Sequence, residues 1–535
     1  MAIQRHLFFL STLITLNHNY AQQDNFVFII IDDLGFELLN EAITPHIDNL
    51  KIESVSFEKA YAQSSICGPS RASILTGERP SETMYLRAID SMENQNPDAK
   101  ALPELLKENG YVTISNGKVF HKKTDFEAQS WTGEKAWRPS SQSPNDYATQ
   151  PNIDLDIGNL PNCDSWGRGS AYEHANVQDV DYWDGKISEK SVLDIQELGS
   201  SEDPFFLAVG FMKPHLPFNC PQYYRNLYNS SNLSVTNNQY IDYCSMSNLP
   251  FERANEHERY CDFEGSVDGL SYSDLQELKA SYSACVSYVD SQIGKLIEEM
   301  KSLNLLESTH IIILSDHGYS LAHNGNIGKA VMLEENLRTP LIWHVPTNNK
   351  NRKKGINHSL IELFDIYSTV KDFAKLTNLS NSVQCISFRN HLDGQKENYN
   401  KIESIAFRNQ YIRYPNEYES HETVTTLTIH SVKRKSQNKL EYNCEFAQGQ
   451  DLNSLDGILT PNPSNGNVAI QFNQRIQDNI TVRLFNIGGE QIFTSEIPKE
   501  TRVIPFDLTH LASGVYYINF TSSLADFTKA ILIVN

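Results

Sequence analysis

Phe26–Ile31 is continuously apolar, rich in β-branched side chains, and stops abruptly at Asp32-Asp33. Phe205–Phe211 and His310–Leu314 have the same character. Uninterrupted apolar runs of this length are what strands buried on both faces of a parallel sheet require. Amphipathic helices lie between them. The clearest runs from about Ser273 to Leu303, with Tyr282, Val286, Val289, Ile293, Leu296 and Met300 at helical spacing. Ser273 and Gln276 stand three apart, as in a capping box. Strands alternating with helices predict an α/β fold, a sheet sandwiched by helices. In such sheets ligands bind beyond the carboxyl ends of the strands. Asp32-Asp33, Lys213-Pro214-His215 and Asp316-His317 follow the three runs. Metal-type and acid–base side chains are therefore expected along one edge.

The pattern fades after about Leu376. Residues 22–376 are read as the main domain. Residues 377–455 are polar and poorly periodic, with an extended stretch at Ile402–Tyr414, and predict a smaller C-terminal subdomain. Residues 456–535 change character again. Thr460-Pro461-Asn462-Pro463-Ser464-Asn465-Gly466 is dense in turn residues. Short β-type runs follow at Val468–Phe472, Ile480–Phe485, Val515–Phe520 and Ala530–Val534, which predict an all-β, sandwich-like tail module. At the other end, Arg5-His6 precede an apolar run from Leu7 to Leu16, and Ala21-Gln22 come after it. This reads as a Sec-type signal peptide over residues 1–21. The run is too short to cross a bilayer, which needs about 20 apolar residues, and no later segment is longer. An exported chain with no transmembrane segment is expected.

Composition sharpens this. The chain has 535 residues, 40% hydrophobic and 21% charged, with a formal net charge of −21. Such an acidic balance excludes general nucleic-acid and anionic-membrane binding, which need a basic face. An anionic substrate requires cations gathered in one pocket. The eight cysteines are too sparse for a disulfide scaffold and show no C-x-x-C zinc spacing.

Cys67 opens Cys67-Gly68-Pro69-Ser70-Arg71-Ala72-Ser73-Ile74-Leu75-Thr76-Gly77. Pro69 suits a first helical turn, and Thr76-Gly77 is expected to end a short helix. Cys67 then sits at a helix N-terminus with Arg71 one turn away, which favours negative charge there and an anionic ligand beside it. Taken alone, such a cysteine is most often a buried structural one. The full pattern C-x-P-S-R-x-x-x-x-T-G, however, resembles the signature of type I sulfatases, in which the cysteine is matured to formylglycine.

The resemblance continues in order over about residues 24–376. Phe26–Asp33 looks like the family's first strand with two metal carboxylates. Gly117-Lys118-Val119-Phe120-His121 looks like its second signature, with a sulfate-binding lysine and a histidine base. Lys213-Pro214-His215-Leu216-Pro217-Phe218 and Ser315-Asp316-His317-Gly318 followed by Lys329 resemble the iduronate-2-sulfatase branch. There Glu-His commonly stands where this chain has His323-Asn324, so the sugar-facing neighbours of Lys329 differ. Arg338–Ile342 resembles the usual next strand. The implied fold is alkaline-phosphatase/sulfatase-like, with a mixed, mostly parallel sheet.

The residues suit these roles. Adjacent carboxylates repel, and a hard divalent cation resolves the conflict. Oxygen-rich ligation by Asp32, Asp33 and Asp316 suits Ca2+, with Mg2+ possible. His317 is a less comfortable ligand for such a cation, and the resemblance alone adds it and Cys67 to the metal set. It further implies that hydrated formylglycine, polarised by the cation and Arg71, attacks sulfur. Lys118 and Lys329 hold the sulfate, His215, alone or together with Lys329, protonates the leaving oxygen, and His121 takes a proton to release sulfate. A phosphodiesterase or phosphonate hydrolase of the same superfamily, or a catalytically weakened glycan-binding protein, is the alternative.

In the tail, Pro461–Gly466, Val482–Gly489 and Leu511–Tyr517 resemble the type IX secretion C-terminal sorting domain. The implied partners are a sulfated glycan, a formylglycine-generating maturase and the type IX machinery, and the implied location is secreted or on the outer cell surface.

Overall fold

The computed structural model describes residues 23–80, 92–133, 136–141, 143–158, 169–235, 256–263, 270–323, 326–330, 334–376 and 384–393, and from residue 402 on the strands named below, the short strands Val432–Lys433 and Glu441–Tyr442, and a few flanking residues. The expected signal peptide lies outside the described residues.

Seven strands form the central sheet: β1 (Asn25–Ile31), β2 (Val55–Tyr61), β3 (Val112–Gly117), β4 (Phe205–Phe211), β5 (Thr309–Ser315), β6 (Arg338–His344) and β7 (Gly355–Glu362). Their order is β7-β2-β6-β5-β1-β4-β3. Only β6 runs antiparallel to its neighbours β2 and β5; the other pairings are parallel. The sheet is thus mixed and mostly parallel. Every residue of β1, β4 and β5 is buried, which is why these runs carry no polar alternation.

Side chains of β1 alternate between two cores. Val27, Ile29 and Ile31 join a cluster that includes Tyr282, Val289 and Ile293 of α3 (Tyr272–Ser302). Phe26, Phe28 and Ile30 join another with Ile366, Val370 and Phe373 of α4 (Asp365–Phe373). Truncating Ile29 to alanine would cost about 2–5 kcal/mol, because both sides are packed.

Two further helices frame the site. α1 (Cys67–Thr76) begins at the cysteine, and Gly77 ends it with φ +70°, the left-handed cap expected of glycine. α2 (Trp183–Gly199) packs on the sheet beside α3. The cap of α3 lies two residues ahead of the expected pair. Ser271 and Asp274 form the capping box, with an acidic side chain beside the positive helix end. Gln276 instead donates to the carbonyls of Ser231 and Leu233.

At the ends of β3 and β4 two backbones nearly touch. A Cβ on Gly210 would lie 2.1 Å from the Lys118 carbonyl oxygen, and one on Gly117 (φ +76°) 2.1 Å from the Gly210 carbonyl oxygen. Glycine at both positions is what lets Lys118 approach the sheet edge.

Beyond the sheet, Ile402–Ala406, Asn409–Tyr414 and Glu417–Glu422 form an antiparallel three-stranded sheet, so the extended stretch read over Ile402–Tyr414 is a hairpin, and a third strand follows it. The tail holds two antiparallel sheets. One contains Gly457–Thr460, Asn467–Phe472 and Val503–Asp507; the other contains Ile480–Asn486, Gln491–Ile497, Gly514–Thr521 and Asp526–Ile533. Phe493 and Phe506, one from each sheet, meet at 6.3 Å.

Candidate active site

The register of the sheet sets the site. Ile31 lies level with Ser315 and Phe211, so the residues after β1, β4 and β5 emerge side by side. The Asp32 amide donates to the Phe211 carbonyl (3.1 Å) and the Asp316 amide to that of Ile31 (3.3 Å). Asp33 takes a left-handed φ of +65°, which aspartate tolerates better than most residues. Its amide donates to Asp316 Oδ1 (3.1 Å) and its carbonyl accepts from the Tyr282 hydroxyl (2.7 Å). Cys67 enters on the first residue of α1, Lys118 after β3, and Lys329 after the hairpin Ser320–His323/Asn326–Gly328.

Asp32, Asp33, Asp316, His317 and Arg71 are fully buried. Uncompensated, three buried carboxylates would be prohibitive. Arg71 compensates two of them, with Nε on Asp316 (2.8 Å) and Nη2 on Asp32 (2.9 Å). Its Nη1 donates to the carbonyls of Val119 (3.1 Å) and Lys118. Burial works against the charge on Arg71, but Asp316 and Asp32 outweigh it and hold the guanidinium more firmly protonated than usual. Burial likewise opposes ionisation of Asp32, yet Lys118 and Arg71 win and hold its carboxyl well below the usual range. Lys118 pairs directly with Asp32. Lys329 donates to both Asp33 oxygens (2.9 and 2.8 Å) and to Cys67 Sγ (3.3 Å); despite its burial, Asp33 and Cys67 raise its pKa well above the lysine value.

Cys67 departs from expectation. The helix N-terminus was expected to favour a thiolate, but full burial, aided by Asp32 and Asp316, outweighs Lys329 and Lys118 and pushes the thiol well up. Desolvation at this depth exceeds what the helix end supplies. Cys67 Sγ stands 3.2 Å from His317 Nε2 and 3.7 Å from Asp33 Oδ1.

His317 resolves differently. Its Nδ1 donates to the Gly318 carbonyl (2.8 Å), so in the neutral ring Nε2 keeps a lone pair directed at Cys67 and at Asp33 Oδ1 (3.4 Å). That is the tautomer a metal ligand needs. His121 follows Lys118 by three residues; its Nδ1 is buried without a hydrogen-bond partner. Burial and then Lys118 lower its pKa to about 2, which keeps the ring neutral. His215 Nε2 lies 3.9 Å from Asp33 Oδ2 and 3.9 Å from Glu256 Oε1, and burial followed by Lys329 lowers its pKa.

Two overlapping groups could hold a metal ion: Asp32, Asp33, Cys67 and His215, and Cys67, Asp316 and His317, each with its donor atoms within 4.8 Å of one another. Five of these side chains are those expected from the sequence, and His215 joins them. The donor set is rich in carboxylate oxygen and already balanced by Arg71, which fits a hard divalent cation. Glu256, on the turn Glu256–Arg259, was not foreseen. Its carboxylate lies 3.6 Å from Lys329 Nζ, and no motif in its surroundings signals it.

A mixed, mostly parallel sheet flanked by helices, with buried carboxylates gathered at its strand ends beside a helix N-terminus, is an alkaline-phosphatase/sulfatase-like α/β fold. The fold of a phosphonate monoester hydrolase from Silicibacter pomeroyi superposes with TM-score 0.62 at 18% identity, covering 79% of this chain and 91% of that one. BT4656, solved in complex with its substrate D-glucosamine-2-N,6-O-disulfate, gives 0.57 at 18% identity, with 77% and 91% covered. Residues 24–376 match the sulfatase family, and the chain belongs to that family. The mouse (Mus musculus) iduronate 2-sulfatase is 30% identical over 341 residues, 60% of this chain and 59% of that protein's length; the chain therefore spans about three fifths of that relative. Residues 459–534 match the secretion system C-terminal sorting domain, a type IX tail that directs secretion or cell-surface export. No described helix is long and apolar enough to cross a membrane.

Proposed function

We propose that this protein is a secreted sulfatase that hydrolyses sulfate esters on a sulfated polysaccharide or oligosaccharide. The observation that carries the reading is Cys67 at the start of α1, within 3.7 Å of Lys329, His317 and Asp33. The iduronate 2-sulfatase relative and the disulfated glucosamine bound to BT4656 support a sulfated sugar.

In this reading Cys67 is matured to formylglycine by a maturase, and Asp32, Asp33, Asp316 and His317 hold Ca2+, with Mg2+ the alternative. Together the hydrated aldehyde and the cation supply a nucleophilic oxygen and charge stabilisation at sulfur. The chain's own residues do the rest. Lys118 and Lys329 exchange their carboxylate partners for sulfate oxygens and stabilise charge there. Arg71 helps to keep Asp32 ionised and orients both Asp32 and Asp316. His215 donates a proton to the departing sugar oxygen. His121 accepts a proton at residue 67 as sulfate leaves. Local cations thus admit an anionic substrate to a chain of net charge −21. Residues 1–21 serve as signal peptide, 22–376 as catalytic domain, 377–455 as a smaller subdomain and 456–535 as the sorting module removed on type IX export.

A panel of defined sulfated oligosaccharides, assayed for sulfate release with full-length chain co-produced with a maturase, tests this. Release from at least one sugar sulfate is expected, together with an aldehyde on the Cys67 peptide by mass spectrometry. Faster hydrolysis of an aryl phosphodiester or phosphonate ester than of any sulfate would favour the rival chemistry.

A further inference from the structure

Two buried charged side chains next to His215 have no part in the chemistry above. Lys213 is 4% exposed, and its ammonium turns back onto its own turn. It donates to the Pro217 carbonyl (2.6 Å) and the His215 carbonyl (3.3 Å). Asp184, 1% exposed in the first turn of α2, accepts the amides of Met212 and Lys213, both at 2.8 Å. The far end of the same turn is tied down as well. Asn219 Nδ2 donates to the Asp146 carbonyl (3.1 Å), and Asp146 Oδ2 accepts the Trp183 amide (2.8 Å). Entry and exit of the segment 212–219 are therefore both fastened near the N-terminus of α2.

A buried ammonium and a buried carboxylate are unfavourable unless their geometry is good. Here the charges grip carbonyls and amides flanking a single functional side chain. Lys118 and Lys329 point at Asp32 and Asp33. The Lys213 ammonium instead bonds the carbonyl of His215 itself, whose Nε2 faces the cluster.

We propose that Lys213, with Asp184 anchoring its backbone, is a positioning residue that sets the His215 imidazole at the leaving-group oxygen and binds no sulfate itself. This rests on His215 being the proton donor of the proposed reaction. A donor misplaced by about 1 Å loses on the order of 100-fold. The loss falls on leaving groups that need a proton and spares those that do not.

The test uses the matured full-length chain and two substrates: the sugar sulfate found active in the panel, and 4-nitrophenyl sulfate, whose anion leaves unaided. Lys213→Met should lower kcat/KM on the sugar sulfate by about 100-fold and on the aryl sulfate by less than about 5-fold, and the double variant with His215→Gln should be no worse than His215→Gln alone. Asp184→Asn should show the same bias more weakly, and it carries the test should Lys213→Met not fold. Equal losses on both substrates, or losses that multiply in the double variant, would overturn the proposal. The two readings can fail separately. If His215→Gln shows no substrate bias, the proton-donor role falls and this proposal with it. If His215→Gln shows the bias and Lys213→Met does not, only the positioning role falls.

Discussion

The site has two sides that differ in their access to water. On one, Asp32, Arg71 and Asp316 are fully buried and bonded to one another. On the other, the side chains of Lys329, His215 and Glu256 are 14%, 22% and 12% exposed and separated by 3.6–3.9 Å. On the sealed side, charge is balanced by a guanidinium that does not deprotonate in proteins, so geometry there is fixed before any ligand arrives. On the open side Lys329 is bonded to Asp33, but its distance to Glu256 is 3.6 Å and that from His215 to Glu256 is 3.9 Å, and a substrate can come between these groups. The first side is suited to building a cation site, the second to receiving a sugar.

Cys67 lies where the two sides meet, and its substitution should have the largest effect. Cys67→Ala should lower sulfate release by at least about 10^4-fold, the scale of losing a nucleophile, with circular dichroism and the unfolding midpoint near those of the unaltered chain. Activity retained in that variant would break the division at its centre. Next in size, Arg71→Ala leaves Asp32 and Asp316 without their shared partner and should cost about 3–5 kcal/mol in denaturant unfolding. Glu256→Gln removes a charge that lies 3.6 Å from Lys329 and 3.9 Å from His215 on the more open side and should change stability by less than about 1 kcal/mol. Equal costs would mean that the sides do not differ as burial indicates.

Cation binding sharpens the contrast. A divalent cation held only by the folded chain should raise stability by about 2.7 kcal/mol at 100 times its dissociation constant. Thermal unfolding with Ca2+, with Mg2+ and after chelation measures this. Asp316→Asn should weaken the response, while Glu256→Gln should leave it unchanged. A response lost in Glu256→Gln would place the ion on the open side.

The sealed side was legible in the sequence where chain-local signals exist. β1, β4 and β5 announced themselves because both faces are buried, and Asp32, Asp33 and Asp316 because each follows such a run. The role of Arg71 was less legible. Its motif fixes neighbours along the chain, whereas its partners come from two other strand ends. The thiol of Cys67 was misjudged for a related reason: spacing reveals a helix end but not how far water is excluded from it. In α3, Ser271/Asp274 and Ser273/Gln276 share one spacing, and only the observed turn selects the acidic pair. The open side gave less still. Glu256 is carried on a short 3-10 turn outside every periodic segment, and the grip of Lys213 on its own turn depends on chain reversal that apolar patterning does not encode.

The smallest effect concerns His257, next to Glu256 on the open side. It is fully buried, neither ring nitrogen has a hydrogen-bond partner, and its ring meets Phe263 edge-on at 5.7 Å. Burial lowers its pKa to about 4 against an ordinary 6.5, with Glu256 opposing. As pH falls through 6.5 the unfolded chain takes up this proton, while the folded chain does not until about 4. Between these values the unfolded state binds more protons, so stability falls with falling pH, by up to about 1.4 kcal/mol per pH unit from this residue. His257→Phe should remove that share and flatten unfolding stability measured between pH 6.5 and 4. His174 and His344, also lowered to about 4 by burial, keep their contributions. Asp146, raised to about 8 by burial, acts with the opposite sign, because its stabilisation is lost as pH rises toward 8. The informative quantity is therefore the difference in slope between variant and parent. An unchanged slope would mean that His257 takes up its proton in the folded chain at an ordinary pH, and that water reaches further behind the open side than its burial allows.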